Sequence, residues 1–156
     1  MPLDAIPSYV PENLDTQWSS VSSFFEERWW WKKLEELSSL KEDWDSYGSR
    51  PIQPEARELA AKLLSDLVKT DMPEPQIFPV SGGGIQLEWE NLKCELEIEV
   101  LPDESIEYLI VDEEGKMYEG KIPQYNNFVE VACLTKWFKS EKPSINDLLN
   151  VYVPTL

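Results

Sequence analysis

Apolar residues along this chain change period twice, from about 3.6 to two and back again, and the changes mark out its elements. Trp18, Val21, Phe25 and Trp29 lie on one helical track and Trp30, Leu34 and Leu37 on another, which predicts a helix from about Gln17 to Asp43. Turn residues follow from Trp44 to Pro51. Pro54 suits a first helical turn, and Ala56, Leu59, Ala60, Leu63, Leu64, Leu67 and Val68 then keep the i, i+3, i+4, i+7 rule to about residue 71. Pro73 and Pro75 stop that helix. From 76 to 122 the period is two, giving strands at 76–80, 85–90, 93–100, 106–111 and 117–122 with Gly-, Asn- or Asp-bearing turns between them. Beyond Pro123 the pattern is helical again: Asn127 with Glu130 reads as a capping box, and Ser144 as the cap of a short helix through Leu149.

This order, α-α-β(4–5)-α, predicts an α+β fold: a four- to five-stranded antiparallel meander with helices packed on one face. Residues 1–17, with Pro2, Pro7 and Pro11, read as an extended N-terminal arm, and 18–156 as a single domain.

The strand pattern is sharpest at Lys93-Cys-Glu-Leu-Glu-Ile-Glu-Val100. Successive side chains on a strand point to opposite faces, so Cys94, Leu96, Ile98 and Val100 would face a core and Glu95, Glu97 and Glu99 the other side. Glu88 joins them from the preceding strand. Between Gln86 and Glu119 there are twelve acidic residues against Lys93 and Lys116.

The chain as a whole has 30 acidic and 14 basic residues, a formal charge of −16. That balance argues against direct binding of nucleic acid or of anionic membrane, both of which repel it. No apolar stretch is long enough to span a bilayer, the first residues lack the basic and apolar regions of a signal peptide, and Cys94 and Cys133 read as free thiols. The expected compartment is the cytoplasm.

There is no histidine, which excludes imidazole-based triads and most zinc sites. Ser81-Gly-Gly-Gly84 lacks the lysine of a phosphate loop and reads as a hairpin turn. Asp43-Trp-Asp45-Ser-Tyr47-Gly48 begins like a calcium loop but fails at Tyr47 and at Pro54. It reads as a helix-ending turn with Trp44 and Tyr47 on the core and Asp45 paired with Arg50. Asp112 with Glu119-Gly-Lys121 is the one candidate for a carboxylate-metal nuclease. No cofactor and no metal are expected.

The glutamate row admits three readings: a solubilising face, a docking surface for a basic protein, or a mimic of nucleic-acid phosphates. A single strand is too sparse for mimicry, since duplex DNA carries about one charge per 1.7 Å and same-face strand residues stand roughly 6.6–6.8 Å apart. Trp29, Trp30 and Trp31 spread over roughly 200° of a helix, wider than one core face. Trp30 aligns with Leu34 and Leu37 and is expected buried, while Trp31 is the expected exposed anchor.

Trp44-Asp-Ser-Tyr-Gly-Ser-Arg-Pro-Ile52, Gly83-Gly-Ile-Gln-Leu-Glu-Trp89 and Leu96-Glu-Ile-Glu99 resemble motifs of a group of small, acidic bacterial proteins of uncharacterised function. The resemblance covers about residues 40–140 and implies a shared fold with no catalytic residue to carry over. The reading is a non-enzymatic, acidic, inhibitor- or antitoxin-like module that binds a basic protein partner through Glu88, Glu95, Glu97, Glu99 and Trp31. A nuclease using Asp112, Glu119 and Lys121, and a subunit that homodimerises through the tryptophan helix, are the alternatives.

Overall fold

The structure is a computed structural model and describes residues 29–145. Among these, two helices precede a five-stranded antiparallel sheet and a third follows it, an α+β fold. The elements are α1 (Trp29–Ser38), α2 (Pro54–Leu67), β1 (Gln76–Val80), β2 (Gly84–Glu90), β3 (Glu95–Val100), β4 (Ile106–Val111), β5 (Met117–Ile122) and α3 (Val129–Phe138). Strand order is β1-β2-β3-β4-β5, a simple meander. The arm expected over 1–17, the first part of the helix expected from Gln17, and all but Ser144 and Ile145 of the helix expected through Leu149 lie outside the described residues.

The period-two pattern becomes rows of apolar side chains running across the sheet. Ile77, Leu87, Ile98 and Tyr108 form one row, Ile85, Val100, Ile106 and Ile122 a second, and Trp89, Leu96, Ile110 and Tyr118 a third. Leu34 and Leu37 of α1, Leu59, Leu63, Leu64 and Leu67 of α2, and Val131, Leu134 and Phe138 of α3 join these rows in one core. Each such Leu or Ile contributes roughly 1.5–3 kcal/mol on leaving water, so the helices are held to this one face. Tyr108 lies across Gly120 on β5, where any Cβ would overlap its ring.

Several boundaries differ from the pattern, the smallest change being β2, which begins at Gly84 rather than at Ile85. α1 ends at Ser38 rather than near Asp43, because the Ser38 and Ser39 hydroxyls donate to the Leu34 and Glu36 carbonyls at 2.7 and 2.6 Å. α2 ends at Leu67, where the Thr70 hydroxyl donates to the Leu67 carbonyl at 2.6 Å. β3 begins at Glu95, since the Asn91 side chain takes the Lys93 and Cys94 amides at 2.8 and 2.9 Å and holds them in the turn. At α3 the N-cap is Phe128 rather than Asn127, and the Asn127 side chain accepts the Val129 amide at 3.0 Å.

Candidate functional site

The face of the sheet turned away from the helices carries Glu88 and Glu90 from β2, Glu95, Glu97 and Glu99 from β3, Glu107 from β4 and Glu119 from β5. Register sets carboxylates directly opposite one another. Glu88 faces Glu97, Glu90 faces Glu95, and Glu99 faces Glu107. The one lysine among the outward strand positions, Lys121, stands 3.6 Å from Glu107. Gln86 donates to Glu88 at 2.6 Å. Between β2 and β5 the face forms a shallow concavity of about 490 Å³ lined by Gln86, Glu97, Glu99, Glu107, Leu109, Glu119 and Lys121.

Like charges directly opposed on adjacent strands weaken a sheet. Burial of the half-covered Glu97 and Glu99 raises their pKa values, and neighbouring carboxylates add to it: Glu88 and Glu95 for Glu97, Glu107 and Glu97 for Glu99. A carboxyl whose folded pKa lies above its ordinary 4.5 opposes folding at neutral pH. The native state takes up its proton first as pH falls, so stability rises through that window and the gain is complete below 4.5. Asp45, Asp71, Asp103 and Asp112 have the opposite sign. Their pKa values are held below 3.8, and the stability they contribute is lost as pH falls through those lower values. The melting temperature is therefore expected to rise on going from pH 7 toward 4.5 and to fall below 3.8. A melting series across that range checks it, and E97Q/E99Q should raise the value at pH 7 and flatten the rise. A steady fall from pH 7 downward contradicts the assignment.

Of the residues singled out in the sequence, Glu88, Glu95, Glu97 and Glu99 come together on this surface. Trp31 does not join them, because α1 belongs to the helical layer behind the sheet. Trp31 is 41% exposed, its indole N–H donates to Glu35 at 3.0 Å, and the Arg57 guanidinium lies 5.5 Å from its ring centre. Trp30 is buried, and its ring meets Trp31 edge-on.

Asp112, Glu119 and Lys121 do not assemble a metal site. The buried Asp112 carboxylate accepts the Glu114, Lys116 and Ile145 amides at 3.0, 2.9 and 3.4 Å, which holds the β4–β5 turn and the chain after α3. Burial alone would raise its pKa, but these hydrogen bonds outweigh it. Glu119 lies on the outer face and Lys121 is beside Glu107. Among the described residues no group of three acidic or cysteine side chains is placed to hold a metal ion. No helix among them is long and apolar enough to cross a membrane.

The 43–50 loop corrects a further expectation. Asp45 accepts the Tyr47 and Ser49 amides at 3.0 and 3.2 Å and the Ser49 hydroxyl at 2.5 Å, instead of pairing with Arg50. Tyr47 is 92% exposed and not on the core. Asp43 and Ser46 adopt left-handed backbone at φ 60° and 63°, and that winding turns the Tyr47 side chain outward.

Sequence reasoning found the row on β3 but not its pairing with Glu107 and Glu90. Counting residues through the hairpin turns is the signal that gives that register. Compared with protein-family models, curated proteins and solved structures, the chain matches none.

Proposed function

We propose that this protein is a non-enzymatic, acidic binding module whose outer sheet face covers a basic surface on another protein, in the manner of an inhibitor or antitoxin. The observation that carries the reading is the set of three directly opposed glutamate pairs. Solubility needs negative charge but not carboxylates set against each other, which cost stability in the free protein. A cationic partner relieves that repulsion on binding, so the face is better matched to the complex than to water.

Charge density adds a second support. The stretch from Glu95 to Glu99 spans roughly 13 Å, and the four strands from β2 to β5 roughly 14 Å across. Seven carboxylates stand there, and duplex DNA of about that length carries about eight phosphates. With Lys121 on the same face the net charge is seven less one, or six, so four strands together approach the density that one strand lacks, and the matching basic surface is one that otherwise holds nucleic acid.

The test compares three immobilised proteins in extract of the source cells: wild type, E95K/E97K, and E36K/E58K as a control of equal charge on α1 and α2. Basic proteins retained by wild type and control at about 50 mM salt are expected to be lost with E95K/E97K, and excess duplex DNA should compete for them. With a partner in hand, reversal at Glu95 and Glu97 should slow association about tenfold or more and leave folding intact. Equal retention by all three proteins would count against the face as the docking surface.

A further inference from the structure

The two edge strands of the sheet, β1 and β5, differ in what they offer a further strand. In an antiparallel ladder alternate residues send both N–H and C=O to the neighbouring strand, and the residues between send theirs the other way. The Gly83 amide donates to the Val80 carbonyl at 3.1 Å, so Val80, Phe78 and Gln76 bond toward β2, while Ile77 and Pro79 face the outer side. Pro75 stands two residues before Ile77 and Pro79 two after it, and neither has an N–H to give. Proline at such positions blunts an edge against extension.

β5 has no such block. The Asp112 amide donates to the Lys116 carbonyl at 2.9 Å, so the pairs Ile110–Tyr118, Tyr108–Gly120 and Ile106–Ile122 carry the ladder to β4. Met117, Glu119 and Lys121 therefore direct their N–H and C=O groups away from the sheet, and all three residues are exposed. Glu119 and Lys121 carry opposite charges on the same face, two positions apart, with Gly120 between them. Among the described residues Glu119 pairs with no cation, and Lys121 has its free side turned from Glu107 toward the edge.

We propose that a second copy of this chain docks on this edge, with β5 pairing antiparallel to its twin about a twofold axis at Gly120. In that register each Glu119 faces the Lys121 of the other copy, and backbone N–H···O bonds run in both directions at each of those pairings. Gly120 meets its counterpart on the axis, at a non-bonded pair where strands approach to about 4.5 Å. Either adjacent register sets Glu119 against Glu119 or Lys121 against Lys121, so charge selects this one. Paired residues keep their side chains on the same side, and the two acidic faces continue into each other across the axis. The pairing does not depend on what that face binds. Each copy carries −16, and salt of about 0.15 M screens that repulsion beyond about 8 Å while the facing side chains stay in contact.

Sedimentation equilibrium of the full chain at about 150 mM salt and up to about 0.5 mM protein reads the mass. Wild type is expected to move from 18.1 kDa toward twice that value. E119K and K121E each set like charges across the axis and should weaken self-association about tenfold or more, with folding intact because both positions are exposed. An equimolar mixture of the two variants restores opposite charges at both pairings, so it should associate about as tightly as wild type. Wild type that stays at 18.1 kDa overturns the proposal, and slow amide exchange at Met117, Glu119 and Lys121 in that monomer would put another part of its own chain on the edge. A dimer that survives both single variants, or a mixture no tighter than either variant alone, also overturns it and moves the contact to another surface such as α1.

Discussion

Trp30→Ala is expected to cost about 3–5 kcal/mol of folding free energy, and its neighbour Trp31→Ala no more than about 1 kcal/mol. Trp30 is 4% exposed among the packed residues of α1 and α2, so truncation leaves a cavity that rigid neighbours fill poorly. For a domain of this size the loss lowers the melting temperature by about 10–20 °C. Trp30 also carries the buried side-chain nitrogen that lacks a hydrogen-bond partner among the described residues. Trp30→Phe removes that orphan donor and keeps most of the ring, so it should lose much less than alanine does. Trp31 gives up its contact with Arg57 and its bond to Glu35, both at the surface. Urea denaturation of the three variants checks the ranking. Equal losses at positions 30 and 31 would sink it.

Gly83→Ala is expected to cost about 2–4 kcal/mol, the sum of a left-handed alanine and a steric overlap. Gly83 has φ +93°, and a Cβ there would stand 2.8 Å from the Pro51 carbonyl oxygen and 2.7 Å from the Gln53 side chain. Backbone at Pro51 cannot yield without loosening the bond from the Gln53 amide to the Gly83 carbonyl at 2.9 Å. Gly82 has a similar φ of +95° with open space around it, so Gly82→Ala pays for conformation alone, about 1–2 kcal/mol. The difference between the two variants isolates the close approach that fastens the 43–50 loop. Faster amide exchange at Gly48 and Ser49 in Gly83→Ala, and not in Gly82→Ala, would report that loosening. Identical melting curves for the two alanines would mean the contact is not rigid.

Alternation of apolar and polar positions placed β1, β4 and β5 at their observed limits, because on a half-buried sheet the burial of every second residue leaves little latitude. Helix ends were less legible. They are set by the hydroxyls of Ser38, Ser39 and Thr70, whose competition with the helix depends on rotamers that composition does not reveal. The acidic face was visible as a row of glutamates on β3. Its opposed pairs were not, since they depend on how many residues each hairpin turn uses. Trp44 and Tyr47 both read as core aromatics, and neither belongs to the core cluster. The outward position of Tyr47 follows from the left-handed residues Asp43, Ser46 and Gly48, and only the last is a glycine that flags such a turn.

The meander also governs how the chain reaches this state. Turns of three, four, five and five residues separate the five strands, so each strand finds its partner across a very short stretch of chain. Closing such loops is entropically cheap, and hairpins of this kind form in about 1–10 μs. Every strand pairs with its neighbour in sequence, so no distant segment has to be awaited inside the sheet. The mutual repulsion of Glu88 with Glu97 and of Glu90 with Glu95 is met whenever the β2–β3 hairpin zips. Closing of that hairpin is thereby coupled to ionic strength, because mobile cations screen the facing carboxylates.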